Sequence, residues 1–135
     1  MSGRPMEVSA DVLEPLRKHL KDPCFSFDVG PGWWSLVLRC HEAVVAEFPE
    51  YELVAVKQKW AVLAFQAFPR ARKRGWNWTS EETYRLDELV TEFTAASAHV
   101  CECCGAAGRL RETRLIELTL CDACESLVGT DGRLE

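Results

Sequence analysis

Two cysteine pairs lie near the end of the chain, Cys101-Glu102-Cys103-Cys104 and Cys121-Asp122-Ala123-Cys124, with sixteen residues between them. In a C-x-x-C element one tight turn carries two sulfurs toward a common point. Two such turns at this separation have the spacing of a four-cysteine zinc site. Zn²⁺ takes four ligands in a tetrahedron, and thiolates supply them well. Gly105 directly follows the first pair and permits the positive φ that such a knuckle often needs. The expectation is a structural Zn²⁺ held by Cys101, Cys104, Cys121 and Cys124. Cys103, inside the first pair, and His99, just before it, are alternative ligands. A site filled by four thiolates leaves no open position for water or substrate, so catalysis at the metal is not expected.

Other cysteine chemistry fits the pattern less well. A thioredoxin-type motif needs one C-x-x-C beside a βαβ pattern, which this sequence lacks. A disulfide framework belongs to secreted chains, whereas Met1-Ser2-Gly3-Arg4-Pro5 leads into no apolar signal segment and the seven cysteines are an odd number. A reducing cytoplasm is the expected location, and Cys24 and Cys40 are then small buried apolar residues. No run of 18 apolar residues occurs, so no membrane span is expected.

Upstream of the cysteines, the chain has the size and hydrophobic content of one compact domain with a small appended module. Residues 1–8 carry no pattern and are expected to fray. Val12, Leu13, Leu16 and Leu20 predict a short helix near residues 11–21, with Pro15 in its first turn. Its basic end, including His19, suits the negative end of the helix dipole. Residues 24–29 read as a short extended segment before Gly30-Pro31-Gly32. Residues 33–48 form a strong amphipathic pattern with Trp33, Leu36, Val37, Cys40, Val44 and Phe48 on one face. His41 and Glu42 fall off that stripe and point different ways on a helix, so they make no acid–base pair.

Two alternating runs, 53–57 and 60–68, predict a hairpin that turns near Lys57-Gln58-Lys59. Ala61, Ala64 and Ala67 make a helix the competing reading of the second run. Thr79-Ser80-Glu81-Glu82 is a capping box, and the helix it opens runs to about His99 with Leu86, Leu89, Val90, Phe93, Ala96 and Val100 as its apolar stripe. Beyond the first cysteine pair, residues 108–111 and 114–120 read as short strands, and a helical turn opens at Cys121. Knuckle, hairpin and a cysteine pair at a helix start resemble a treble-clef or zinc-ribbon module. Roughly 25 residues cannot build a core alone, so the metal supplies folding energy. Arg109, Arg111 and Arg114 are placed to offset the negative charge of a Zn-Cys₄ centre. The expected architecture is α+β: residues 1–99 with about three helices on a small antiparallel sheet, residues 100–128 as the zinc module, and residues 129–135 as a disordered tail.

The net charge of −5 is not that of a strongly basic nucleic-acid binder. One local stretch departs from it. Arg70, Arg72, Lys73 and Arg74 are followed by Trp76 and Trp78, and cations beside aromatics can grip phosphates and stack bases. The bland alternative is a solvated loop whose tryptophans fold back on the core. The sequence contains no Gly-rich phosphate loop, nucleophile elbow or paired-carboxylate motif. A metal-dependent nuclease needs histidine and a carboxylate around an open metal, and this module offers only His99. Five tryptophans in so short a chain favour a binding surface. The expected function is a non-enzymatic, zinc-containing protein that recognises another protein, as an immunity-type or phage-encoded modulator does. The alternative is a nucleic-acid-binding regulator using residues 70–78, extended by the arginines of the module.

Three stretches carry a family resemblance: Gly32-Trp33 with Leu36, Val56-Lys57-Gln58-Lys59-Trp60 with Leu63 and Phe65, and Cys101 to Gly108 with Cys121. In these the chain resembles uncharacterised small proteins of bacteria and their phages, over most of residues 30–124. It departs where those proteins have a glycine soon after the strand aromatic, here Ala61 and Val62. It departs again where they often end in Cys-x-x-His, here Cys124, which keeps a zinc ligand. The resemblance implies an α+β fold with a zinc module and no established activity.

Overall fold

The computed structural model describes residues 10–22, 27–72, 78–112 and 116–128. The expectations for residues 1–8, Cys24, Lys73, Arg74, Trp76, Arg114 and the tail 129–135 lie outside them.

The first element, Ala10–His19, is a 3₁₀ helix with Pro15 in its interior, where the sequence predicts a short helix with the proline in its first turn. The three-residue period of a 3₁₀ helix stacks every third side chain on one edge. Here those side chains are Leu13, Leu16 and His19, all buried. His19 is therefore buried with Leu13 and Leu16 while standing in the last turn beside Arg17 and Lys18, where the sequence places it. Two residues beyond the helix pair with the first strand: the Lys21 N–H donates to the Leu53 carbonyl at 2.9 Å and the Asp28 N–H to that of Val56 at 3.0 Å.

A single 3₁₀ turn, Pro31–Trp33, leads into α1, Trp34–Glu47. The expected stripe is buried, Phe48 only partly, and His41 joins it at 6% exposure, contrary to its placement off the apolar face. Tyr51 supplies the reason. Its hydroxyl shares a 2.7 Å hydrogen bond with His41 Nδ1, and its carbonyl accepts one of 2.8 Å from His19 Nδ1. The His19 ring stacks on Tyr51 at 4.1 Å between centroids. Polar side chains enter a core when partners are provided there.

β1, Glu52–Lys59, and β2, Val62–Phe68, pair antiparallel with an irregularity between Leu53 and Ala55. The second run is thus a strand and not a helix. The turn is Trp60-Ala61, not residues 57–59: both residues have positive φ, 56° and 67°. A two-residue hairpin loop with positive φ at both positions matches the twist of its strands, which is why Asn-Gly usually fills it.

α2, Ser80–Ser97, starts at the expected capping box: the Glu82 N–H donates to Thr79 Oγ1 and the Thr79 N–H to Glu82 Oε1. It packs on β2 and α1 and covers the outer edge of the sheet, where the Leu63 N–H donates to Ser97 Oγ at 2.8 Å and Thr94 Oγ1 donates to the Leu63 carbonyl. Beyond it come β3, Arg109–Arg111, β4, Leu118–Leu120, paired as a second antiparallel sheet, and the single-turn helix α3, Asp122–Glu125. The fold is α+β with two separate apolar clusters, a large one in the body and a small one around Cys101, Leu118, Leu120 and Cys124. Among the described residues no helix is long and apolar enough to cross a membrane.

Candidate metal centre

The end of α2 feeds directly into the first cysteine pair. The loop is closed by two hydrogen bonds, Cys101 N–H to the Ala106 carbonyl at 2.7 Å and Gly105 N–H to the Cys101 carbonyl at 2.9 Å. Gly105 takes the positive φ expected of it, 89°. The second pair opens α3: Cys121 is its N-cap, extended at φ −80° and ψ 168°, and its Sγ accepts from the Cys124 N–H at 3.4 Å. A cysteine that caps a helix and a second one a turn later point their sulfurs to the same side.

The four Sγ atoms of Cys101, Cys104, Cys121 and Cys124 lie within 4.8 Å of one another, and those of Cys104 and Cys121 are 3.7 Å apart. A tetrahedron with Zn–S bonds of about 2.3 Å has edges of about 3.8 Å. The donor set and its spacing therefore fit a tetrahedral metal ion. Cys103 and His99 are not members of this group; Cys103 packs on the small apolar cluster, and the His99 carbonyl accepts from the Gly108 N–H. Cys101 and Cys124 are buried, Cys121 is half-buried and Cys104 is exposed.

The thiols differ electrostatically. The Cys124 N–H aimed at Cys121 holds its thiol down at about 7, so that sulfur loses its proton readily. Burial, followed by the neighbouring thiols, pushes Cys124 up. Four crowded sulfurs do not readily ionise together without a cation among them, and bound metal supplies that cation.

Arg111, 8% exposed, donates from Nε and Nη2 to the Leu120 carbonyl and from Nη2 to Asp122 Oδ1 at 2.8 Å. It braces β4 against α3 beside Cys121. Arg109 reaches the same carboxylate at 3.5 Å. The hydrogen bond and charge of Arg111 hold Asp122 below the usual carboxylate range.

Sequence reasoning missed how the knuckle joins the body. The Gly32 N–H donates to the Glu102 carbonyl at 2.8 Å, the Gly30 N–H to Glu102 Oε2 at 2.9 Å, and the Trp33 indole to the Val100 carbonyl at 2.8 Å. Glu102 also donates its N–H to the Thr119 carbonyl, and Thr119 Oγ1 donates to the Ala61 carbonyl at 2.7 Å. Burial raises the Glu102 carboxyl above its ordinary range. A Cβ on Gly32 would sit 2.2 Å from the Cys101 carbonyl oxygen. The glycine at this position is a close-approach residue as well as turn punctuation, a distinction that Gly30-Pro31-Gly32 alone does not reveal.

The basic stretch is engaged within the protein where it is described. Arg70 forms a two-pronged ion pair with Glu82. Arg72 lies with its guanidinium 5.6 Å from the centre of the Trp78 ring, which stacks on Phe68. Of the other tryptophans, Trp33 is buried, Trp34 half-buried and Trp60 78% exposed. An open groove of about 400 Å³ between β2 and the start of α2 is lined by apolar residues including Phe65, Phe68, Trp78, Leu86 and Val90, with Asp87 at its wall.

Comparison with family models, with curated proteins and with solved structures finds no match to this chain.

Proposed function

We propose that Cys101, Cys104, Cys121 and Cys124 hold a structural Zn²⁺, and that the chain is a non-enzymatic module that binds another protein. The convergence of the four sulfurs supports the metal reading. With every tetrahedral position taken by a cysteine, the ion has no vacancy at which to activate water, so its part is to fold residues 101–128. Zinc suits the donor set better than hard oxygen-seeking cations, because thiolates are soft ligands. A recognition role of the immunity or modulator type fits an acidic chain that carries large aromatics on its surface, Trp60 and Tyr84 above all.

The experiment is native mass spectrometry of protein purified with its partners attached, at low salt. One zinc per chain with a stoichiometric protein supports the proposal. Zinc with heterogeneous nucleic acid transfers it to the second reading, a nucleic-acid-binding regulator acting through residues 70–78. The observation favouring that reading is the Arg72–Trp78 stack, a cation and an aromatic already juxtaposed. It requires binding of labelled DNA or RNA that falls steeply with salt. Absence of zinc from freshly purified protein overturns the metal reading.

A further inference from the structure

We infer that the Trp60 tip of the β1–β2 hairpin is the anchor by which this protein docks an acidic, apolar peptide segment of a partner. The inference rests on the protein-binding reading above and names the contact within it.

The turn holds two non-glycine residues in the left-handed region, Trp60 at φ 56° and Ala61 at φ 67°. An L-residue there is unfavourable, and Asn or Gly would satisfy the same loop more cheaply. A large residue is retained at such a position when it is buried or when it is used. Trp60 is 78% exposed, so the fold gains little from its ring. Ala61, by contrast, is buried. Strain kept at an exposed aromatic is the pattern of a functional site.

The tip is also held firmly. The Ala61 N–H donates to Gln58 Oε1 at 3.0 Å, and the Ala61 carbonyl accepts from Thr119 Oγ1 at 2.7 Å. Thr119 belongs to β4, so the metal module clamps the turn from beneath. Leu110 is paired with Thr119 in the β3–β4 register and shares its face of that small sheet, and it is 41% exposed. The tryptophan is thus presented on a pre-ordered support, which lowers the entropy lost on binding.

Charge selects the occupant. Lys57 and Lys59, both exposed, lie two residues apart on β1 and so share a face of the strand leading into the turn. These two lysines stand out from a chain of net charge −5. A tryptophan at the tip of a strand that carries two exposed lysines complements an apolar side chain accompanied by carboxylates, with the aromatic as the energetic centre and the charges setting encounter and orientation. The acidic remainder of the chain disfavours the extended electrostatic track that single-stranded nucleic acid needs.

The test is selection of a displayed library of random 16-residue peptides on the zinc-loaded full chain, followed by anisotropy titration of the enriched peptides. The expected result is enrichment of sequences combining Asp or Glu with large apolar residues. Trp60→Asn, which suits the turn and preserves the fold, weakens their binding by at least about 30-fold. Trp60→Phe retains part of it, and Lys57→Glu with Lys59→Glu weakens it and removes its salt dependence. Enriched peptides that bind Trp60→Asn as tightly as wild type overturn the tip as the site while leaving the protein-binding reading in place. Failure to enrich any peptide, or tight binding of labelled oligo-dT or oligo-U that Trp60→Asn abolishes, overturns both.

Discussion

The body of this protein and its cysteine module bury apolar surface on different scales. Between the N-terminal 3₁₀ helix, α1 and the β1–β2 hairpin lie Trp33, Tyr51, Phe65 and a set of aliphatic side chains from every element. Among the described residues the small cluster has two leucines, Leu118 and Leu120, with its cysteines. A buried leucine contributes about 2–3 kcal/mol, and two of them cannot offset the ordering of some two dozen residues at about 1–2 kcal/mol each. The body has the means to fold by itself. The module needs further support: its four cysteines are placed to hold a metal, and the body provides a surface through Gly30, Gly32, Trp33 and the Ala61 carbonyl.

Metal removal is the largest expected break in this comparison. On the zinc proposal, Cys124→Ser, or strong chelation, should take the metal from one per chain to none and forfeit a binding free energy of about 10–16 kcal/mol. Amide exchange in residues 101–128 should then become fast, while α1, β1 and β2 keep their protection with a lowered melting temperature. Melting of the whole chain at once on metal loss would mean that the two regions are a single cooperative unit.

Gly32→Ala attacks the seam with the metal set left intact. The added Cβ meets three backbone atoms, the Cys101 oxygen at 2.2 Å, the Gly105 nitrogen at 2.5 Å and the Glu102 oxygen at 2.7 Å. Backbone on both sides must move, at a cost of about 3 kcal/mol or more. Zinc stoichiometry should remain one while thermal stability falls. An unchanged melting curve would show that the module does not rest on the start of α1.

Acid should act on the body as well as on the thiolates. Burial, then the nearby His19 and Lys18, lower His41 from 6.5 to about 4, and Tyr51 faces it from the start of the sheet. Between these values the unfolded chain binds a proton that the folded chain refuses, so stability rises with pH through this window. It is fully present above about 6.5 and is lost as the pH falls toward 4, by on the order of 2 kcal/mol. Thiolate protonation also releases metal on acidification, so the measurement is the difference in melting temperature between wild type and His41→Gln across pH 4–7. A constant difference across that range would remove His41 as the acid-sensitive group.

The sequence disclosed those features whose cause is local. C-x-x-C spacing, the Thr79–Glu82 capping box and the 3.6-residue stripe of α1 each arise within a few residues, and all three are where periodicity and motif place them. What it hid depends on partners far along the chain. His41 looks like a surface residue until Tyr51 reaches it, and the basic run Arg17-Lys18-His19 gives no sign that the 3₁₀ period turns His19 inward with Leu13 and Leu16. The pattern of residues 53–68 points to a turn earlier than the real one because Trp60-Ala61 has none of the usual turn chemistry; its conformation is fixed by Gln58 and by Thr119, 58 residues away. Glu102, between two cysteines, gave no sign that its backbone and carboxylate would seat Gly30 and Gly32.

The smallest predicted effect is the one that separates folding from use at the place where the two regions meet. Trp60→Asn exchanges an exposed ring for a residue that accepts positive φ. Little apolar contact is lost, and the relief of backbone strain should stabilise the protein by about 0.5–1 kcal/mol, a rise of roughly 3 °C in melting temperature. Thr119→Val works in the opposite sense, because it removes the clamp on the Ala61 carbonyl and leaves that acceptor unpaired in a buried setting. If Trp60→Asn melts higher than wild type, the tryptophan is held against the interest of the fold. If it melts lower, the ring contributes to packing between body and module, and its exposure then counts for less as a sign of binding.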